Sequence, residues 1–281
     1  MRGDSFLKDR VIYIVKSMAG TFLKRNVTRE AAALSYYLTL SVFPFLLCMS
    51  AILSSMYLGE SEILEFLTDI VPEQALAGIG DFLTNAGENT TELMLFVGIT
   101  GMVTSSSAAF RSFTGIMGEI QGKMRFTGIR KAVYSFVFSV VFLAAIYVSG
   151  LVILSGGWFM QVLEINYIIG DLTAMWTWMR FVILFLLLFG IIFGMYAVSA
   201  PREAKKTQRL PGALVASVVL VAVSMVYSRI ISASIRHTIL YGSLASFIIL
   251  MIWLYTCGII LIMGNVFNIA RRDMRKEFSV K

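Results

Sequence analysis

Histidine is almost missing from this 281-residue chain, because His237 is the only one. A single histidine cannot build the His-Glu-x-x-His zinc motif or a histidine-rich metal site, and it excludes most triads with a histidine base. The only two cysteines, Cys48 and Cys257, lie inside apolar runs, so no disulfide framework is expected. A phosphate loop of the Gly-x-x-x-x-Gly-Lys type is also missing. We therefore expect a protein that is not an enzyme and that uses no cofactor and no metal ion.

Charge is scarce as well, since charged residues make up 15% of the chain and hydrophobic residues 58%. In soluble domains, charged residues average roughly 25% and hydrophobic residues roughly 45–50%. A soluble domain of this length could not bury so much apolar surface, so lipid is the expected solvent. The net charge of +7 does not indicate nucleic acid, because the basic residues are dispersed over four segments rather than gathered on one face with aromatics.

The basic residues are sorted along the sequence. Twenty-one of the 24 Lys and Arg residues fall in four of the seven stretches that flank six long apolar runs, namely the two ends and every second connection. The stretch 59–92 holds eight acidic residues and no basic one. The positive-inside rule produces this sorting. It predicts an all-α integral membrane protein with one membrane domain over residues 1–281, six transmembrane helices and both termini in the cytoplasm.

The six predicted spans cover residues 32–58, 93–110, 133–154, 181–198, 212–235 and 243–266. Before them, the basic segment 1–30 carries an apolar stripe that predicts an amphipathic helix, either on the inner membrane surface or packed under the bundle. The acidic segment 59–92 is expected to form short amphipathic helices on the extracytoplasmic face. Basic residues beside the spans are expected to meet anionic lipid headgroups.

The second predicted span is the most polar one. Thr100, Thr104, Ser107 and Arg111 are spaced by four, three and four residues, so they share one face of a helix. Such residues either bond across a helix contact or line a polar cavity, and both interpretations remain open. In the first span, Pro44 removes a backbone bond to an earlier carbonyl group and is expected to kink the helix.

Two arginines break the charge rule near the outer end of the fifth span. Arg229 and Arg236 are seven residues apart and therefore project from one face, with His237 beside them. They either pair with the acidic outer stretch and reach headgroups, or form an outer cationic mouth for an anionic ligand.

Four motifs, in order, resemble the YihY/BrkB family of integral membrane proteins. The motif at 31–44, AAALSYYLTLSVFP, is similar to the family's opening, and Tyr241 to Ala245 followed by Trp253-Leu254-Tyr255 is similar to its sixth span. Residues 105–121 resemble its segment after the second span, and residues 196–201 its exit from the fourth. The resemblance implies six transmembrane helices in the cytoplasmic membrane of a bacterium.

The resemblance implies no agreed activity. Members have carried the label ribonuclease BN, have been linked to virulence and serum resistance, and have been proposed as transporters or as partners in envelope lipid movement. The single histidine argues against the nuclease label. Members often end the sixth span with a Gly-x-Glu-x-Asn pattern, whereas here Gly264 and Asn268 flank Val266 in place of the acid.

We therefore expect a multi-pass membrane protein that moves, or helps to move, a lipid-like, amphiphilic or anionic solute. The alternative is a structural or scaffolding protein in envelope maintenance. A cavity that opens to water or lipid would favour transport, and a filled interior would favour scaffolding. The residues of the expected polar cavity or hinge are Tyr36, Pro44, Thr100, Thr104, Ser107, Arg111, Tyr241 and Trp253.

Overall fold

The structure is a computed structural model that describes residues 2–55, 92–122, 128–164, 170–200, 206–234 and 242–279. Within these ranges every regular element is a helix, which confirms the all-α prediction for this part of the chain. A 3₁₀ turn at Lys206–Gln208 precedes the sixth of seven α-helices. The helices are α1 Arg2–Lys24, α2 Val27–Ser55, α3 Glu92–Gln121, α4 Gly128–Glu164, α5 Gly170–Ser199, α6 Leu210–Ser234 and α7 Gly242–Ser279.

Left-handed residues mark three of the helix boundaries. Asn26, with a φ of 50°, separates α1 from α2, and asparagine tolerates this region better than most residues. Gly122, with a φ of 66°, follows the end of α3, where a glycine in this conformation commonly stops a helix. Gly128, with a φ of 57°, stands at the first position of α4.

Among the described residues, four helical segments are long and apolar enough to cross a membrane. They are Gly128–Ser149 in α4, Trp178–Ser199 in α5, Leu210–Ile230 in α6 and Phe247–Phe278 in α7, and they correspond to the third to sixth predicted spans. The first two predicted spans belong to α2 and α3, which are not among the four. The helices predicted within 59–92 lie outside the described residues. The total of six spans and the orientation therefore stay predictions.

The helices of the described bundle pack mostly against their neighbours, beginning with α2. α2 packs mainly against α3 and α7, while α4 contacts α3 and α5, and α6 contacts α5 and α7. Small residues allow the close approaches. A Cβ placed at Gly258 on α7 would lie 3.2 Å from the Cα of Ala31 on α2, so only glycine permits this separation without a shift. Small residues at helix contacts are typical of helices that associate in lipid.

The buried core lies at one end of the bundle, which we call the basic end because the helix ends that flank the basic connections lie there. It is formed by the beginnings of α2 and α6 and by the later parts of α3, α5 and α7. Outside it, many large apolar side chains remain exposed along α3 to α7, as expected for helices surrounded by lipid. The core residues are Val27, Ala31, Leu34, Ala109, Phe110, Phe113, Ile116, Met117, Ile192, Met195, Tyr196, Ala213, Ala216, Ile262 and Val266.

α1 has two apolar faces rather than one. Met18 and Phe22 pack against the core, and the ring of Tyr13 meets that of Phe278 edge-on, with centroids 6.3 Å apart. α1 therefore packs on the bundle, beside the end of α7. A second face stays exposed, with Val11 59% and Leu23 78% accessible, so contact of α1 with the membrane surface stays a prediction.

Candidate functional site

The polar face predicted on the second span forms a row on the outside of α3, and we call Thr100, Thr104, Ser107 and Arg111 the polar row. Thr100 and Thr104 are exposed, and each donates its hydroxyl hydrogen over 2.8 Å to a carbonyl oxygen of α3, that of Phe96 and that of Thr100 respectively. Arg111 is also exposed and donates to the Oγ of the buried Ser107 over 3.0 Å. Among the residues that the structure describes, the row therefore bonds within its own helix and not across a helix contact, with Ser107 on the buried side of the row.

Pro44 lies inside α2, which is continuous from Val27 to Ser55. A Cβ placed at Gly101 on α3 would lie 3.7 Å from the Cγ of Pro44, so the proline faces the stretch of α3 between the two exposed threonines. Tyr36, nine residues after the start of α2, is 53% exposed and meets the ring of Tyr37 edge-on at 5.5 Å. The bend at Pro44 stays a prediction.

A carboxylate that joins α2 to α3 lies near the basic end of the polar row. Glu30 accepts a hydrogen bond from Arg29 over 3.1 Å and another from the Ser112 hydroxyl over 3.3 Å. Its side chain is 20% exposed, whereas that of Arg29 is 69% exposed. Glu30 is thus a paired residue at the α2–α3 contact. Ser112 follows Arg111 directly in the sequence and therefore points to a different side of α3.

The remaining candidate residues lie elsewhere. Trp253 on α7 donates its Nε1 hydrogen to the Ser224 hydroxyl on α6 over 3.3 Å, so its polar atom is directed toward α6. Arg229 is exposed on the last turns of α6. Tyr241 and Arg236 lie outside the described residues. The structure thus brings Pro44 of α2 against α3 beside the polar row, whereas Tyr36 lies on α2, Arg229 on α6 and Trp253 on α7.

Sequence reasoning did not identify a junction of α5, α6 and α7 in which polar groups bond across helices. We call Tyr196, Gly212, Gly264 and Asn268 the three-helix junction. The fully buried Tyr196 donates to the Leu261 carbonyl oxygen over 2.7 Å. The Oδ1 of Asn268 accepts from the Gly212 N–H over 2.7 Å, and its Nδ2 donates to the Arg209 carbonyl oxygen over 3.0 Å. The sequence feature that could have indicated this junction is the spacing of Gly264 and Asn268, which are four residues apart.

The two glycines of the junction leave no room for a side chain. A Cβ at Gly212 would collide with the Gly264 carbonyl oxygen and with the Asn268 amide, and a Cβ at Gly264 would collide with the Tyr196 hydroxyl and with Ala216. The backbones of α6 and α7 are therefore in direct contact. Asn268 supplies polar partners for backbone groups at the beginning of α6, where a helix leaves its first N–H groups unpaired.

Comparison with known proteins gives a match over most of the chain. The family model described as virulence factor BrkB matches residues 18–280, from within α1 to beyond the end of α7. The chain belongs to the BrkB family. The resemblance inferred from the four sequence motifs is thereby confirmed.

One relative of this BrkB-family protein is the ribonuclease-like protein YfkH of Bacillus subtilis (strain 168). The two are 23% identical over 272 residues, covering 93% of this chain and 96% of YfkH. No solved structure matches the chain. Within the described residues, no group of three or more His, Cys, Asp and Glu side chains is arranged to hold a metal ion.

Proposed function

We propose that this BrkB-family protein is a non-enzymatic, multi-pass protein of the bacterial cytoplasmic membrane that moves, or helps to move, a lipid-like or other amphiphilic solute. In this proposal all six apolar runs cross the membrane and both termini are cytoplasmic, so that the basic end faces the cytoplasm. The distribution of basic and acidic residues supports the orientation. Anionic lipid headgroups would then lie beside the basic connections.

The observation that carries the proposal is the polar row on the outside of α3. Exposed helix surfaces in hydrocarbon are expected to be apolar, and Phe96 and Val97, 70% and 61% accessible, follow that rule on the same helix. Thr100, Thr104 and Arg111 depart from it. A charged side chain costs about 2.5–3.5 kcal/mol at the bilayer centre by insertion scales. Arg111 lies directly after the predicted span 93–110, where its guanidinium group is expected to meet headgroups or another polar partner.

A lipid-like solute fits such a row. Its polar headgroup would pass along Thr104 and Arg111 while its acyl chains remain in the surrounding bilayer. A guanidinium group has five N–H donors in a planar fork, which suits a phosphate group. Among the described residues Arg111 uses one hydrogen bond, to Ser107, so further donors are available to a headgroup.

Replacement of Arg111 by lysine tests the role of the planar fork. We expect Arg111→Lys to insert normally into vesicles but to slow the movement of a fluorescent phosphatidylglycerol between leaflets by at least about tenfold, since lysine cannot bond in a bidentate way. The matched control is Arg130→Lys, an exposed arginine at the beginning of α4. Equal rates for the wild type and both variants would mean that Arg111 only reaches headgroups with its charge, and the polar row would lose its role.

The orientation has its own test. In a variant with Cys48 and Cys257 replaced by serine, single cysteines are introduced by Glu88→Cys or Ser279→Cys. An impermeant thiol reagent added outside the cell is expected to label residue 88 and not residue 279. Labelling of both positions, or of residue 279 alone, would contradict cytoplasmic termini.

The alternative proposal is a structural or scaffolding role in the envelope. It is favoured by the internal bonding of the polar groups, because Thr100 and Thr104 bond to their own helix and Asn268 bonds between helices. A scaffold predicts that wild-type protein in vesicles moves neither fluorescent lipids nor small anions. The wild-type rate relative to protein-free vesicles therefore separates the two proposals before any variant is made.

A further inference from the structure

A groove at the basic end lies between α1 and the last turn of α3. Its volume is about 480 Å³. The groove is lined by Tyr13, Lys16, Ser17, Gly20, Thr21, Lys24, Arg25 and Ile120. These positions on α1 recur every three to four residues, so they form one continuous face of the helix. Ile120 of α3 supplies an apolar wall on the other side.

The groove is cationic and rich in hydrogen-bond donors. Lys16, Lys24 and Arg25 carry positive charge and Ser17 carries a hydroxyl, whereas the Thr21 hydroxyl donates to the Ser17 carbonyl oxygen over 2.9 Å. The lining residues include no carboxylate. In the part of the chain that the structure describes, none of these three cations forms an ion pair with a carboxylate. Three unneutralised cations with a neighbouring hydroxyl are the groups that bind phosphate in proteins.

Two further features determine where in the groove an anion can lie. The hydroxyl of Tyr13 bonds to Glu277 of α7, and this hydrogen bond, together with burial and the charges of Glu277 and Asp273, raises the pKa of the phenol. Tyr13 therefore stays neutral, but the Glu277 carboxylate lies beside it, so an anion is expected at the other end of the groove, at Lys24 and Arg25. Gly20 has no atom within 4 Å of the position that its Cβ would occupy, so the middle of the groove is open.

We infer that the α1 groove binds a phosphate-bearing ligand, with Lys16, Lys24 and Arg25 as the charged contacts. Lys16 and Lys24 are eight residues apart, which is about 12 Å along a helix at 1.5 Å per residue. This spacing suits a ligand with two anionic groups, or one whose phosphate lies at Lys24 and Arg25 while a second polar group reaches Lys16. The phosphate comes either from a soluble diphosphate or from an anionic lipid headgroup, and this inference does not depend on lipid movement along the polar row.

The binding test uses the full chain in nanodiscs, with a fluorescent reporter near the groove. The reporter is attached at Ile12→Cys, an exposed position next to Tyr13, in a variant with Cys48 and Cys257 replaced by serine. Inorganic pyrophosphate is added to protein in phosphatidylcholine discs for the soluble ligand, and discs with increasing phosphatidylglycerol are compared for the lipid ligand. A saturable response to pyrophosphate identifies the soluble source, and a saturable response to phosphatidylglycerol alone identifies the lipid source.

Two pairs of variants distinguish specific binding in the α1 groove from attraction of the anion by diffuse surface charge. Lys24→Gln with Arg25→Gln is expected to weaken binding by about tenfold or more, as loss of charge-assisted bonds to phosphate does. Arg130→Gln with Arg275→Gln removes the same charge from exposed positions outside the groove and is expected to leave binding unchanged.

The second pair changes the shape of the groove and keeps every charge. Gly20→Phe places a ring in the open middle of the groove and is expected to abolish the saturable response. Ala19→Phe places the same ring on the exposed apolar side of α1 and is expected to preserve it. Equal weakening by both charge pairs, or unchanged binding in Gly20→Phe, would show that only diffuse surface charge attracts the anion and would overturn the inference. The absence of any saturable response to either phosphate source would overturn it as well.

Discussion

The polar row on α3 and the three-helix junction both contain hydrogen-bonding side chains. Those of the row bond within one helix, whereas those of the junction bond between helices. The hydroxyls of Thr100 and Thr104 donate to carbonyl oxygens of their own helix and remain exposed. The hydroxyl of Tyr196 donates from α5 to α7, and Asn268 joins α7 to the beginning of α6, and both residues are buried. A polar group bonded within its helix places no constraint on neighbouring helices, whereas one bonded between helices fixes their separation.

This difference assigns separate roles to the two regions. Substitutions at the junction are expected to change the free energy of unfolding. Substitutions in the polar row are expected to leave it nearly unchanged and to alter contact with whatever lies outside α3.

Gly212→Ala is expected to have the largest effect. The added Cβ would collide with the Gly264 carbonyl oxygen and the Asn268 amide, so α6 and α7 must separate. Overpacking of this kind typically destabilises by about 1–3 kcal/mol. The control is Gly190→Ala on α5, where a Cβ has no atom within 4 Å. The thermal unfolding midpoint in detergent should fall for Gly212→Ala and should stay level or rise for Gly190→Ala. Equal midpoints would show that α6 and α7 are not in direct contact.

Asn268→Ala is expected to have the next largest effect on stability. It leaves the Gly212 N–H without the partner that Asn268 gives it, while the Arg209 carbonyl oxygen keeps the Ala213 N–H. A buried unsatisfied group costs about 1–3 kcal/mol. Asn265→Ala is the control, because Asn265 is similarly buried but its Nδ2 has no partner among the described residues. The cavities are alike, so a lower midpoint for Asn268→Ala alone reports the lost bonds. Equal losses would assign the effect to packing.

The sequence predicted the helices much better than it predicted this junction. Apolar runs and basic flanks identified α4 to α7, because both signals are local. The ends were less predictable, since α3 continues from Phe110 to Gln121 and α7 continues through the basic anchor after Val266. Periodicity predicted one helix face for the polar row, in which Thr100, Thr104 and Arg111 are exposed and Ser107 is buried. It could not determine whether that face is covered, because this depends on neighbours that are distant in sequence.

The junction was missed for a related reason. Its partners are separated by 56 to 65 residues, and a hydrogen bond between helices leaves no period in the sequence. The family resemblance gave one indication of the junction, since Gly264 and Asn268 match the first and last residues of the Gly-x-Glu-x-Asn pattern and Val266 stands between them. Val266 is 1% exposed in the core, so an apolar residue packs where related sequences often carry an acid.

Tyr196→Phe is expected to have a smaller effect than either junction variant above. It removes one hydrogen bond to the Leu261 carbonyl oxygen and keeps the ring, so the packing against Phe113 is preserved. Hydrogen bonds between membrane helices average about 0.6 kcal/mol by double-mutant cycles. Tyr147→Phe on α4 is the control, because the Tyr147 hydroxyl has no partner among the described residues. A midpoint change no larger than the control's would show that the ring alone fixes α5 against α7.

Pro44→Ala is expected to have the smallest effect on stability and to test whether the polar row works with a bent α2. Alanine supplies an N–H for the Leu40 carbonyl oxygen, which contributes about 1 kcal/mol, but it removes the ring that faces Gly101. The two changes oppose each other, so the unfolding midpoint should rise only slightly. Pro211→Ala is the control, since Pro211 is in the first turn of α6, where an N–H has no partner within the helix. If α2 bends at Pro44 to expose the polar row, Pro44→Ala slows lipid movement in vesicles while Pro211→Ala does not. Unchanged lipid movement in both variants would remove the bend from the mechanism and leave the polar row to act on a straight helix pair.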